Sequence, residues 1–546
     1  MSRRFSILAL LLTSPLLHAQ TQPIASAIAP GHLVVVYRNG QLPSNSDALI
    51  ASTGARPLRQ LPRFGLAVLT TTPATEANVT ANLLRRPEVA AVLHDRYVTA
   101  HLLLTPSQPS IAATPSIISE PTGLGLLRLA APTIFVKPTP PPADLLYNSP
   151  AGWAVLSAGG YGDSIPGGPT LGPWNTSLGA GVRIAVLDSG VDPHHPDLSP
   201  NLVLNLSDVD QTSATGLPSP CDDGSPIDQQ GHGTFVASLA LAAVGGGDTL
   251  GVAPQASLLN IKVLERLPSA SGVDTTAQCE SGQASGLLSW VLQGIDDAVA
   301  NHADIVSLSL GSIVDLSTGD GAGWQAQFDS VTYAAQQAGV TLIAAAGNDG
   351  LNLSPQNSTA RYIELPAQSR GVLAVTASTN PACRENLTAG ATCTPGPIAR
   401  PYYSNYGTTL NAIAAPGGSY PQGLSAAHPN DPVTLSSTTS GFITAACSNG
   451  LPNTTDGLPS NPNQSFGCFN QGHASYTQAM GTSASAALVA GAAAILHAAN
   501  PSLSPAQLIQ TLQTTATPSS TTDPQLNLPS ALTSATSNST TGPTAH

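Results

Sequence analysis

The chain has 546 residues, 41% of them hydrophobic and 50 of them glycine, enough to bury a substantial α/β core in more than one unit. Only 9% of residues are charged and the net charge is -13, which excludes a nucleic-acid binder that relies on clustered Lys and Arg to neutralise phosphates. The acidic balance reads as solubility, not as the mark of a partner.

At the N-terminus Arg3 and Arg4 precede a mostly apolar run from Phe5 to Leu17, which ends at small Ala19 before polar Gln20. That order predicts an export leader over residues 1–19 and a secreted, extracellular mature chain. The run is short for a membrane span, and no later uninterrupted apolar stretch is long enough to cross a bilayer, so no span is expected in the mature chain.

Apolar, β-rich runs at Leu33 to Tyr37, Leu66 to Leu69 and Val89 to Leu93 are interleaved with helical patterns at Ser46 to Ser52 and Thr75 to Leu84. Together they predict a small α+β unit over residues 31–100. Residues 101–173 are rich in Pro, Ser, Thr and Gly, with PTPPP at Pro138 to Pro142, and read as a linker. Trp153 and Trp174 are costly to leave in water, so part of this linker is expected to wrap the surface of the next unit.

From 174 to 515 the patterns alternate. Strands are predicted at Val182 to Leu187, Ser257 to Leu264, Asp304 to Leu310, Val340 to Ala345 and Val372 to Ala377. Helices are predicted from His232, at Ala284 to Ala300, Trp324 to Ala338 and Thr482 to Ala499, and finally at Pro505 to Thr515. This alternation implies an α/β fold with a doubly wound, mostly parallel sheet covered on both faces. Ligands of such sheets bind at the carboxyl ends of the strands, where Asp188 lies. Residues 516–546 are rich in Ser and Thr and are expected to form a mobile tail.

Four separated segments carry chemistry. Asp188, in IAVLDSGV, follows a buried strand, a place for a carboxylate that orients a histidine. His232, in GHGTFVAS, stands between two glycines at a helix start, free to act as general base. Ser483, in GTSASAALVAG, opens an apolar helix whose dipole and free backbone N–H groups suit a nucleophile and a developing oxyanion. Asn348, after Gly347 in AAAGND, can donate its amide to the same oxyanion, and Ser309, Leu310 and Gly311 offer a strand against which a peptide can pair. Taken alone, DSG would read as a turn and GTS as a helix cap.

The order Asp, His, Ser, with GVAP at Gly251 to Pro254 and YSNYG at Tyr403 to Gly407 in support, resembles the subtilisin-like serine peptidases. The resemblance covers about Gly181 to Thr515. It implies an endopeptidase acting on proteins and peptides through an acyl-enzyme, with Asp188 as orienting acid, His232 as base, Ser483 as nucleophile, Asn348 as oxyanion donor, and Gly347 with Ser309 to Gly311 lining the substrate cleft. PEVAAVLHDRYV, at Pro87 to Val98, makes the unit over 31–100 resemble the inhibitory propeptides of that family, which would make the chain's own propeptide a partner. The chain departs from the family pattern at Phe235, Ser238, Ala484, Ala487 and Leu488, all behind the proposed catalytic groups. One alternative is a catalytically silent homologue that serves as a binding or surface protein. Another is a sedolisin-type acid peptidase, against which His232 and Asn348 decide.

No cofactor is required for this chemistry. The family's calcium loop is not recognisable in VGGGDTLGVAP; Asp222, Asp223 and Asp228 could offer oxygen ligands, but a solvated acidic loop is the simpler reading, and structural calcium stays open. The six cysteines fit an oxidising destination, and short loops favour Cys383 with Cys393 and Cys447 with Cys468, leaving Cys221 with Cys279; other pairings stay open.

Overall fold

A computed structural model describes residues 25–101, 103, 104, 144, 146, 147, 152–161, 172–209, 219–268, 275–280, 282–354, 361–379, 398–418, 442–449, 469, 470 and 474–538. The expected export leader, much of the expected linker, and Cys383, Cys393 and Cys468 lie outside the described residues.

The main sheet has seven strands in the spatial order Ala412–Pro416, Val372–Ser378, Thr341–Ala345, Ile305–Leu308, Arg183–Asp188, Ser257–Lys262 and Leu202–Ser207, with every neighbour pair parallel. Its central strands are buried along their whole length, as a sheet covered on both faces requires. The edge strand Leu202–Ser207 instead exposes Val203. One face packs on the helices His232–Leu241 and Thr482–Ala499, the other on Leu288–Ala300 and Gly319–Gln337. The Thr482–Ala499 helix is long and apolar enough to cross a membrane by length and composition, but it is mostly buried in this core. The doubly wound α/β reading holds.

The N-terminal unit is an antiparallel sheet in the order Arg56–Leu61, Leu66–Thr70, Ile28–Tyr37 and Val89–Ala100, with helices Ser46–Ala51 and Glu76–Leu84 on one face. The period of a strand divides its work: Leu33, Val35 and Tyr37 pack with this unit's own helical residues Ile50 and Leu83, while Val34 belongs to the core of the larger body, which also includes Trp324 and Phe328. Polar contacts fix the docking. His94 Nδ1 lies 2.7 Å from Asp320 Oδ2, Trp324 Nε1 donates to the His94 carbonyl at 2.9 Å, and Asp95 Oδ1 accepts from Ser289 N at 3.2 Å.

Several boundaries differ from the sequence reading. The helix expected at Ala284 to Ala300 begins only at Leu288; Gln283–Leu287 is a strand, because it pairs on both sides, with Leu264–Leu267 and with Val89–Ala100. The run Asp304 to Leu310 splits into two strands, and Leu310–Asp315 leaves the main sheet to pair with Val89–Ala100 and Tyr362–Leu365. The expected tail is part of the body through residue 538. A helix, Leu528–Asn538, buries Leu528, Ala531, Leu532 and Ala535 at helical spacing, and Asp523 Oδ2 accepts from Thr376 Oγ1 at 2.8 Å.

The described parts of the expected linker do wrap the body. Trp153 and Trp174 are buried and donate to the carbonyls of Phe442 (3.1 Å) and Val252 (2.8 Å), and Trp174 stacks on Tyr147. Cys221 and Cys279 form a disulfide with S–S 2.00 Å, and Cys447 is also disulfide-bonded.

Candidate active site

The Arg183–Asp188 strand delivers Asp188 to the carboxyl end of the main sheet, fully buried. Asp188 Oδ1 accepts from Ser189 N at 2.7 Å and lies 2.6 Å from His232 Nδ1. His232 is the first residue of its helix. Gly233 beside it is required: a Cβ there would stand 2.0 Å from the Gly190 carbonyl oxygen, so only glycine lets the two backbones approach this closely.

Asp228 sets this turn. Its Oδ1 accepts from Gln230 N (3.1 Å), Gly231 N (2.7 Å) and Ser189 Oγ (2.9 Å), and its Oδ2 from Thr234 N (2.9 Å) and Thr234 Oγ1 (2.6 Å). Ser189 Oγ in turn accepts from Gly233 N at 2.9 Å, tying the backbone after Asp188 to the backbone after His232. Burial pushes the Asp228 carboxyl up and these hydrogen bonds pull it down, leaving it above the usual carboxylate range.

On the far side of the imidazole, His232 Nε2 lies 3.0 Å from Ser483 Oγ. Ser483 Oγ also donates to the Ser309 carbonyl at 3.0 Å, so its single proton has two acceptors within reach. Ser309 Oγ donates back to the Ser483 carbonyl at 3.0 Å. The three residues proposed from sequence are therefore one hydrogen-bonded line, Asp188 to His232 to Ser483.

Asn348 stands beside it, with Oδ1 accepting from Thr482 N (3.0 Å) and Thr482 Oγ1 (2.9 Å). These bonds hold the amide so that Nδ2 is the free end, and among the described residues that buried nitrogen has no hydrogen-bond partner. Gly347, at φ 101°, donates its N–H to Thr482 Oγ1 at 3.2 Å.

The cleft is filled by the chain's own Val89–Ala100 strand. It runs between two strands, pairing Tyr97, Val98 and Thr99 with Leu287, Gly286 and Ser285 on one side, and Thr99 and Ala100 with Gly311 and Leu310 on the other. His101 then donates its N–H to the Ser309 carbonyl at 3.1 Å, and its carbonyl accepts from Ser483 N at 3.2 Å. Beyond it, Leu103 and Leu104 pair with Met480 and Ala479. The His101 carbonyl therefore occupies the position where an acyl group would be attacked.

Sequence reasoning missed three residues here. Asp228, weighed as a calcium ligand and read as part of a solvated acidic loop, is instead fully buried, because its carboxylate takes up the N–H groups of the turn; Asp followed by Gln-Gln-Gly-His can be read as such a turn acceptor. His101 lay beyond the expected unit. Glu364, in the strand Tyr362–Leu365, gave no sequence signal at all. Of the other acids weighed for calcium, Asp222 is ion-paired with Lys262 at 2.8 Å and Asp223 Oδ1 accepts from Ser225 N at 2.8 Å. Among the described residues no group of three or more His, Cys, Asp or Glu stands in an arrangement to hold a metal.

The departures from the family pattern are all buried. Ser238 Oγ donates to the Phe235 carbonyl at 2.9 Å and accepts from Ala446 N at 3.0 Å, so the hydroxyl pins the Ile443–Ala446 strand to the histidine's helix. Ala484, Ala487 and Leu488 fill the helix face behind Ser483 without touching the catalytic line's hydrogen bonds.

The chain is similar in sequence and in fold to known proteins. The chain is 33% identical over 180 residues to an intracellular serine protease of Paenibacillus polymyxa, covering 32% of this chain and 44% of that protein. It is 35% identical over 200 residues to subtilisin E of Bacillus subtilis, covering 36% of this chain and 41% of that protein. The matched region thus spans less than half the length of either relative. The crystal structure of an epidermin leader peptide processing serine protease from Staphylococcus aureus has the same fold, with TM-score 0.59 at 17% identity, covering 94% of this chain and 99% of that one. The profile of the subtilase family, peptidase S8, matches residues 179–540, which is more than half of the chain and contains Asp188, His232, Asn348 and Ser483, so the chain belongs to the subtilase family.

Proposed function

We propose that this chain is a secreted serine endopeptidase that hydrolyses peptide bonds of proteins through an acyl-enzyme. The observation that carries the reading is the buried line from Asp188 Oδ1 to His232 Nδ1 (2.6 Å) and from His232 Nε2 to Ser483 Oγ (3.0 Å), with a peptide carbonyl held at Ser483 N. Ser483 Oγ attacks the carbonyl carbon while its proton passes to His232 Nε2, and Asp188 holds the imidazole and stabilises the imidazolium. The oxyanion is met by Ser483 N–H and by Asn348 Nδ2, a nitrogen with no other partner among the described residues. His232 gives the proton to the leaving amine; water then adds to the acyl-enzyme by the same route, releasing acid and free serine. None of these steps calls for a metal.

Residues 25–101 act in this reading as an inhibitory propeptide that occupies the cleft until the chain is cut, and part of 102–173 becomes a spacer. Export is supported by the leader pattern and by the Cys221–Cys279 disulfide. The name of the Paenibacillus relative does not add to it. Hydrolysis of casein by the purified chain, against the Ser483→Ala variant, tests the function. The expected loss is on the order of a millionfold, the magnitude that removal of the nucleophile carries in subtilisin, a relative. Near-parental hydrolysis by the variant would remove the assignment.

A further inference from the structure

The pairing register identifies which residue of a bound peptide reaches which pocket. Residues 97–100 lie between the two cleft strands, His101 bonds Ser309 and Ser483 through its backbone, and Leu103 and Leu104 pair on the far side of Ser483. His101 is therefore the residue immediately before the bond presented for cutting, and its side chain fills the pocket that reads this position.

At the end of that pocket is a carboxylate. His101 Nε2 lies 3.0 Å from Glu364 Oε1, with Glu364 fully buried and His101 only 7% exposed. Glu364 Oε2 has no hydrogen-bond partner among the described residues. The space between them depends on two glycines. A Cβ on Gly311 would stand 2.0 Å from Glu364 Oε1 and 2.1 Å from His101 Nε2, and one on Gly347 would stand 3.0 Å from Glu364 Oε2. The strand Tyr362–Leu365 holds the acid in place by pairing Glu364 with Ile313, and Gln368 Oε1 accepts from Glu364 N at 2.8 Å.

We infer that Glu364 determines the specificity of this cleft and selects substrates that carry a cationic side chain immediately before the cut bond, the bond after His101 being the first of them. The inference rests on the peptidase reading and narrows its substrate class. An apolar side chain in this pocket would leave a buried acid with neither solvent nor a partner, a mismatch that discriminates more sharply than a missing contact does. A cation satisfies it. The acidic groups that act on the His101 ring are Glu364 and, at longer range, Asp349; burial opposes charge on the ring, but these two outweigh it and hold the imidazole above its usual range. Burial also pushes Glu364 up, against the opposing pull of His101.

The test uses the purified full chain after incubation for self-processing, with peptides differing only at the residue before the cut: His, Lys, Arg, Gln, Leu and Phe. Expected values of kcat/KM for Lys or Arg, and for His near pH 6, exceed those for Leu, Phe and Gln by about tenfold or more. The His to Lys ratio should fall as pH rises, because imidazole loses its proton first; His232 and Asp188 act on both substrates and cancel in the ratio. Glu364→Gln should collapse the cation preference, read as a ratio within the variant so that lowered overall activity does not obscure it. In the chain itself, His101→Leu should slow cutting after residue 101 and His101→Lys should restore it. A preference for Leu or Phe at every pH, or an unchanged ratio in Glu364→Gln, overturns the inference while leaving the peptidase intact. No cleavage of any peptide, together with no labelling of Ser483 by a fluorophosphonate, overturns the peptidase reading beneath it.

Discussion

His232 is 44 residues from Asp188 and 251 from Ser483 in sequence, and yet it shares a buried hydrogen bond with each. Their types and local settings were legible, because an acid at a strand end, a histidine between glycines and a serine opening an apolar helix each demand a particular backbone. What holds them in register was not legible. Asp228 accepts five hydrogen bonds, four from the turn around His232 and one from Ser189 Oγ, and an amide in its place would set its N–H groups against donors. Asp228→Asn is expected to cost about 3 kcal/mol or more in unfolding free energy, measured by denaturant melts, with kcat falling as His232 loses its position. A variant within about 0.5 kcal/mol of the parent would show that the turn holds without it. Asn348→Ala should lower kcat by about a hundredfold to a thousandfold with little change in KM, the magnitude this change carries in subtilisin, a relative. A loss confined to KM would place Asn348 in substrate binding.

Among the elements, the Val89–Ala100 strand does two things at once: it closes the sheet of its own unit and serves as the middle strand of the cleft. Its apolar pattern announced a strand up to Leu93, but the continuation through Ala100 is dictated by partners far along the chain, which no local pattern carries. The same cause turned Gln283–Leu287 from expected helix to strand. Long, strongly periodic segments such as Thr482–Ala499 were placed correctly because their own burial determines them. Docking of the N-terminal unit has a pH signature. The hydrogen bond to Asp320 holds His94 above the usual imidazole range, and although burial works against Asp320, the same partner keeps it below the usual carboxylate range. The His94 contribution is thus full below the ordinary imidazole range and is lost as pH rises through the raised value. The Asp320 contribution is full above the ordinary carboxylate range and is lost as pH falls through the lowered value. Residues 25–101, added to the processed enzyme, should bind most tightly in the window between, and Asp320→Asn should weaken binding there by about twofold to fivefold, since His94 is partly exposed. A dissociation constant that is flat across pH in the parent would show that this pair contributes nothing.

For the whole molecule, the doubly wound sheet brings Asp188 to the carboxyl ends of its strands, and Leu310–Asp315 and Gln283–Leu287 extend beyond it to form a cleft that the chain's own N-terminal unit occupies. A precursor that carries its first substrate in place should cut itself, so the Ser483→Ala chain is expected to accumulate uncut while the parent acquires a new N-terminus after residue 101. Efficient maturation of the variant in a protease-free host would make the unit an accessory domain. The central claim is that Ser483 is a nucleophile activated by His232, and covalent labelling by a fluorophosphonate, mapped by mass spectrometry, tests it most directly. The expected result is one label per processed chain, on Ser483, lost in both His232→Ala and Ser483→Ala. A folded, processed chain that takes no label, or takes it on another serine, would contradict the claim.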